Sequence, residues 1–243
     1  MRKFRLYDRN LTEYIDLNAD VLAERPKGLG TKYSYKKYEN QIYGEEKIYE
    51  PIIMQLHFLK NSYQQYYNFI KFIHKQNNQL TLGYSYDGNY RYCDVYAEQI
   101  SKTEKTNFGI LSEPITFARL SKWYQWITAS AVNAIGLETE NIRHLEGKIV
   151  EGKPIIVEGT ATGVINYNIS VTGIGQIVIN GVKNLYLNSE TKTATDSGEN
   201  IYEKIDKNYD TFLSLPKGAH KVVVSTNTAA ASLKIKVKKW VVD

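Results

Sequence analysis

The side chains able to do chemistry are scattered along this chain. Its four histidines, His57, His74, His144 and His220, fall on four different elements. None has a second His, a Cys or a carboxylate at metal-ligand spacing, so no zinc centre is expected. Cys93 is the single cysteine; with no local His to activate it, it reads as a small buried residue rather than a nucleophile. Glu203, Asp206 and Asp210 are the hard oxygen ligands that calcium favours, but they lack the EF-hand order and read as a solvated loop. Glu138, Glu140 and Glu146 have the chemistry of a glycosidase pair, yet closeness in sequence does not set two carboxyl groups facing across a sugar. Gly173-Ile-Gly175 lacks the third glycine of a dinucleotide fingerprint and leads into a strand, and no serine sits in a Gly-x-Ser-x-Gly elbow. No catalytic residue, metal or cofactor is assigned, and the chain is not expected to be an enzyme.

Two aromatic groups can do binding chemistry instead. Tyr33, Tyr35, Tyr38, Tyr43 and Tyr49 lie among Lys, Glu and Asn beyond the breaker cluster Pro26-Lys-Gly-Leu-Gly30, and predict a long hairpin or extended arm. An isolated hairpin is marginal in water, so this arm either meets a partner surface or folds back on its own domain. Trp123, Tyr124 and Trp126 follow the strand pattern of Ser112-Glu-Pro-Ile-Thr-Phe-Ala-Arg-Leu120, in which Ile115, Phe117 and the stem of Arg119 share one face. Pro114 belongs at the start of that strand or on an edge. The three aromatics either pack at a seam between two β-rich domains or form a sugar platform. The chain has 20 Tyr against 7 Phe and 3 Trp. That surplus suits surfaces that become half-buried in an assembly, and also follows from a genome favouring Tyr, Lys, Asn and Ile codons.

Composition narrows the class further. With 42% hydrophobic and 23% charged residues, the 243-residue chain is globular and long enough for one large domain or two smaller ones. The net charge of +5 is spread out, with no basic tract or helix-turn-helix spacing to recognise nucleic acid. Met1-Arg-Lys-Phe-Arg5 is followed by no apolar h-region, and no apolar run approaches the ~20 residues of a membrane span. A lone cysteine fits folding in a reducing cytoplasm.

The elements that must position these residues are mostly strands. Phe4, Leu6 and Tyr7 predict a strand that turns at Asp8-Arg-Asn10 and returns through Tyr14, Ile15 and Leu17; Ile52, Met54, Leu56 and Phe58 alternate as a strand with one buried face. Tyr66, Phe69, Ile70 and Ile73 fall on one helical stripe, and Ser62 with Gln65 has capping-box spacing at its start; the helix should fade near Asn77-Asn78, with His74 on its polar face. Leu80, Leu82, Tyr84 and Tyr86 lead to a turn at Asp87-Gly88-Asn89. The return through Tyr90 and Tyr92 changes phase at Cys93–Asp94, which predicts a bulge. Residues 128–152 read as a linker, with a helical turn admitted at Ala129–Ala134. Short runs at Ile155–Val157, Val164–Ile169, Ile177–Ile179, Leu185–Leu187 and Val222–Val224 have the spacing of a sandwich, with a hairpin at Asn180-Gly181. In the last strand Leu233, Ile235 and Val237 face in, and Lys234, Lys236 and Lys238 face out as an edge guard.

Ser112–Tyr124 resembles the end of the N-terminal domain of the distal tail proteins of long-tailed, non-contractile bacteriophages. Leu185–Thr195, Asn200-Ile-Tyr202 and Phe212–Val224, with its turn at Leu215-Pro-Lys-Gly218, are similar to the closing third of the same family. The resemblance implies a ring-forming N-terminal domain over residues 1–127 with a helix and a protruding hairpin, a linker over 128–152, and a galectin-like β-sandwich over 153–243. It further implies a homohexameric ring at the virion's tail tip, each hairpin embracing the neighbouring copy. The ring would join the tail tube to the tail-associated hub and to receptor-binding or upper baseplate proteins, with no nucleic acid or membrane as partner. The chain leaves no room for extra carbohydrate-binding insertions. A carbohydrate-binding β-sandwich for cell-surface glycans is the alternative.

Overall fold

The computed structural model describes residues 2–30, 32–39, 41–59, 61–101, 109–144, 153–210, 212–215 and 218–241. Among these residues the protein is mainly β with one α-helix, and it divides into two compact units, Met1–Gln125 with Trp240–Asp243, and Trp126–Lys239.

In the first unit the strands are β1 (Lys3–Tyr7), β2 (Tyr14–Asp16), β3 (Leu22–Ala23), β4 (Lys32–Tyr38), β5 (Gln41–Ile48), β6 (Ile52–Phe58), β7 (Gln79–Ser85), β8 (Arg91–Ile100), β9 (Leu111–Arg119) and the start of β10 (Tyr124–Glu138). An antiparallel sheet runs in the order β2-β1-β7-β8-β9-β6-β3. The apolar face expected at Ile52, Met54, Leu56 and Phe58 is fully buried, and α1 (Ser62–Lys75) lays Phe69 and Ile73 against it. Phe58 meets Tyr66 and Phe69 edge-on, with ring centroids 5.5 and 5.7 Å apart. The helix ends where expected, because Asn77 and Asn78 both take left-handed backbone. Its start differs. The Ser62–Gln65 capping box does not form: Asn61 is the cap residue, and the Ser62 hydroxyl donates instead to the Gly109 carbonyl, 3.0 Å away.

The expected bulge at Cys93–Asp94 is also absent. The register of β7 with β8 is unbroken from Gln79↔Tyr96 to Tyr84↔Arg91, and the irregularity lies instead between Ala97 and Gln99, against β9. The phase change has another cause: both faces of β8 carry apolar groups, Cys93, Val95 and Ala97 on the core side and, on the other, Tyr92, stacked on Tyr90 just before the strand. Pro114 stands inside β9, opposite Gln55 of β6. Its carbonyl accepts from Ser101, just past the end of β8. N and O of one strand residue point the same way, so the missing N–H falls where the neighbouring strand has run out.

The second unit holds the rest of β10, β11 (Ile142–His144), β12 (Lys153–Val171), β13 (Gly175–Asn188), β14 (Thr193–Asp196), β15 (Glu199–Asn200), β16 (Ser214–Leu215), β17 (Gly218–His220) and all but the last residue of β18 (Val222–Trp240). Its main sheet runs β15-β14-β13-β12-β18-β10, with β16 on β12 and a separate β11–β17 pair. Runs expected as separate strands are joined: β12 and β18 are each 19 residues long, and register shifts between Thr160 and Tyr167 let both halves of β12 line one core. Asn180-Gly181 makes no hairpin but sits at the register break inside β13, where Gly181 N–H donates to Asn166. The turn is Thr172-Gly173-Ile174 instead. The stretch Ala129–Ala134, read as a helical turn, lies in strand β10; its small residues, half-buried at the alanines and exposed between them, carry too little apolar contrast to mark either period. β18 is interior, flanked by β12 and β10, so its lysines guard no edge. Lys238 is buried, its ammonium donating to both carboxylate oxygens of Glu190 at 2.8 and 2.7 Å. Pro216 and Lys217 of the expected turn, and residues 145–152, lie outside the described residues.

Candidate functional site

The arm is a hairpin. β4 and β5 pair from Lys32↔Ile48 to Tyr38↔Gln41 in a two-stranded sheet of their own. Tyr33 and Tyr35 lie on β4 and Tyr43 on β5, their side chains outside the described set; Tyr38 at the tip is 71% exposed. The exposed Lys36 and Lys37 flank it. Tyr49 lies just past β5 and is half-buried.

The root of the arm is held tightly. Lys27 and Ile53 exchange both backbone hydrogen bonds, at 2.9 and 3.1 Å. Between these legs Gly28 has φ 78°, and a Cβ there would meet the Pro51 carbonyl oxygen at 2.0 Å, so only glycine fits. Arg119, the last residue of β9, donates through Nη1 to the carbonyls of Leu29 (3.3 Å) and Gly30 (2.6 Å). Its guanidinium lies 4.8 Å from the Tyr49 ring centroid. Trp123 Nε1 donates to the same Leu29 carbonyl at 2.9 Å. Lys32 and Glu50 pair at 3.7 Å across the base.

The second aromatic group is divided between the two units. Trp123 and Tyr124 are buried in the first unit, and the division between units follows Gln125. Trp126 belongs to the second unit, where the Lys238 ammonium sits 5.5 Å from its ring centroid. The Tyr124 hydroxyl donates to Asp94 at 2.7 Å, and Thr81 donates to the same oxygen at 3.0 Å.

Sequence reasoning missed the surface to which Tyr124 belongs. On the sheet face away from the helix, Tyr7 packs against Tyr14 (5.3 Å), Tyr92 (5.7 Å) and Tyr90 (6.3 Å), and Tyr92 against Tyr124 (5.9 Å). Arg5 lies over Tyr14 at 4.3 Å and pairs with Asp16 at 3.3 Å. Gly83 makes room: a Cβ there would touch the Tyr7 ring at 2.7 Å. Burial pushes the Tyr92 phenol up to about 12, with the neighbouring tyrosines adding to it. The signal was present in the sequence: Arg5 and Tyr7 alternate with Phe4 and Leu6, so both faces of β1 carry large side chains.

The remaining candidates have ordinary roles. His57 pairs with Glu24 at 2.9 Å, His220 bonds the Thr172 carbonyl at 2.9 Å, and His74 is exposed; the His144 side chain is outside the described set. Asp206 accepts from the N–H and amide of Asn208, and Glu138 pairs with Lys221 at 3.0 Å. Burial raises the Cys93 thiol against the opposing pull of Arg119. No group of metal-ligating side chains is found among the described residues. In the second unit a cavity of about 390 Å³ crosses the sheet beside Glu158, Thr160, Asn184, Tyr186, Ser232 and Lys234.

The described residues present a β-rich scaffold carrying an anchored arm with a tyrosine at its tip. Residues 3–120 match the family model described as the distal tail protein, N-terminal domain. The N-terminal half of the chain thus carries the domain of the distal tail proteins, structural components of the phage tail tip and part of the virion. No curated protein matches it by sequence. Among solved structures, a chain of the phage P2 baseplate in its activated conformation with calcium superposes with a TM-score of 0.72 at 14% identity, covering 99% of both chains. The strontium form gives 0.71, also at 14% identity and 99% of both chains. The SPP1 Dit protein, described as a hub adsorption apparatus of phages infecting Gram-positive hosts, gives 0.48 at 11% identity, over 97% of this chain and 99% of that one.

Proposed function

We propose that this distal tail protein closes into a homohexameric ring that joins the tail tube to the tail-tip hub and to receptor-binding or upper baseplate proteins. The observation that carries the reading is the β4–β5 arm: a two-stranded sheet with an exposed tyrosine tip, set on a rigid root. Two strands bury too little to be stable alone, whereas a second copy supplies the missing surface, and closed cyclic symmetry uses every arm. Tyr33, Tyr35, Tyr38, Tyr43 and Tyr49 are the inter-subunit residues in this reading, and Trp123, Tyr124 and Trp126 mark the domain seam. Residues 1–127 form the ring, 128–152 link, and 153–243 make a galectin-like sandwich facing the other baseplate proteins. The fold shared with a P2 baseplate chain supports this. Sedimentation and light scattering test it: a hexamer is expected, and deletion of residues 32–48 should leave monomers. A wild-type chain that stays monomeric at micromolar concentration overturns the reading.

A second reading rests on the cavity across the second unit. Its lining of Thr160, Ser232, Asn184 and the Tyr186 ring suits a saccharide. A glycan array in which Tyr186→Ala abolishes a signal that survives arm deletion would favour it; an array with no signal removes it.

A further inference from the structure

We propose that Arg119 is the residue that aims the arm, holding both of its legs at their point of departure so that subunits meet with the arm already oriented. The inference rests on the interface reading above and names the positioning residue within it. The outgoing leg passes Leu29 and Gly30 before β4, and both carbonyls accept from Arg119 Nη1 at 3.3 and 2.6 Å. The returning leg leaves β5 at Tyr49, whose ring lies 4.8 Å from the same guanidinium. Trp123 supports the arrangement from behind: its indole donates to Leu29 at 2.9 Å, and its ring lies 5.7 Å from the Arg119 guanidinium carbon. One cation therefore grips both legs in the stretch between the Lys27–Ile53 backbone pair and the first rung of the hairpin at Lys32↔Ile48.

The chemistry requires arginine. A planar guanidinium can donate in its plane to two carbonyls while offering a face to an aromatic ring. A lysine ammonium keeps the charge but is a point donor, and it loses the simultaneous grip on both legs. The strand itself does not need the side chain: β9 pairs with β6 from Leu111 to Phe117 through its backbone. A docking segment that is already oriented loses less conformational entropy on binding. The effect of Arg119 should therefore appear in assembly rather than in folding.

The test uses the full chain, with dyes on Lys37→Cys and Lys71→Cys and single-molecule energy transfer at picomolar concentration, where subunits are separate. Cys93 is fully buried and stays unlabelled. Wild type should show one narrow arm-to-body distance and Arg119→Lys a broad one. The concentration for half-assembly should rise about tenfold, the scale of one lost charge-assisted bond, with the thermal midpoint unchanged. If Arg119→Lys fails to fold, Trp123→Phe, which removes only the indole bond to Leu29, should broaden the distance to a smaller degree. A narrow distance in the substituted chain, or unaltered half-assembly, overturns the assignment. Deletion of residues 32–48 separates the two claims. If that variant still assembles, the interface reading falls and this inference with it. If it does not, and Arg119→Lys behaves as wild type, only the role of Arg119 falls.

Discussion

Replacing Gly28 with alanine should damage the arm root far more than the same change at Gly30, two residues further along. At Gly28 two costs add. The backbone at φ 78° is left-handed, which costs a residue with a Cβ about 1–2 kcal/mol. The new methyl would also lie 2.0 Å from Pro51 O and 2.9 Å from Pro51 C. Both are backbone atoms that no rotamer change can clear, so the legs must part by more than 1 Å, on the order of the overlap itself. That separation breaks the paired bonds between Lys27 and Ile53, worth about 1 kcal/mol each. The expected loss is about 3–4 kcal/mol in the stability of the first unit. At Gly30 a Cβ meets nothing within 4 Å, and no left-handed φ stands in its way. Alanine there should be neutral or stabilise by up to about 1 kcal/mol, through the unfolded chain. Urea unfolding followed by amide exchange in β6 reads both variants. Equal effects at the two positions, or a Gly28→Ala loss below about 1 kcal/mol, would refute the reasoning.

Removing residues 240–243 should weaken the first unit by about 2 kcal/mol and leave β12 and β13 protected, because Val241 packs on the first core and donates to the Trp123 carbonyl at 2.9 Å; hydrogen exchange resolved by residue decides it, and loss confined to the second unit would contradict it. Glu190→Ala should cost about 2 kcal/mol by stranding the Lys238 ammonium, whose side chain is only 4% exposed, whereas Lys238→Met should cost less than about 1 kcal/mol, since the Glu190 side chain is 42% exposed and can hydrate. The reverse order in thermal denaturation defeats that account. Tyr92 has a folded pKa near 12 against an ordinary phenol value of 10, so its contribution is fully present below pH 10 and is lost as pH rises from 10 through about 12. Thermal midpoints over that window should fall, and fall less in Tyr92→Phe; parallel curves would disprove the assignment.

Where one face of an element is buried and the other is wet, the sequence displays it. Ile52–Phe58 and the stripe Tyr66–Ile73 are such cases, and both elements stand where their periodicity places them. Periodicity failed where that contrast vanishes. β8 is loaded on both sides, so a change of inward residue from Tyr92 to Cys93 imitated a bulge. β10 carries Ala129, Ser130 and Ala131, too small and too alike in polarity to mark either period. The long strands of the second unit bend at register shifts that separate their apolar runs, so each read as two strands. Asn180-Gly181 shows that a turn dipeptide also suits a bulge, since both demand a break in the ladder.

The least legible feature is the one the proposed assembly depends on most. Arg119 acts on Leu29 and Gly30, roughly ninety positions earlier, through their carbonyls. Every residue has a carbonyl, so the acceptors carry no side-chain signature, and periodicity could assign Arg119 no more than a buried stem. Only Gly28 left a trace, inside a breaker cluster that could as well have been a plain loop. A structural protein of this kind concentrates its specificity in where backbone segments are held. Reading it from sequence therefore means asking which cation at a strand end could meet a glycine-rich bend, rather than searching for a constellation of catalytic side chains.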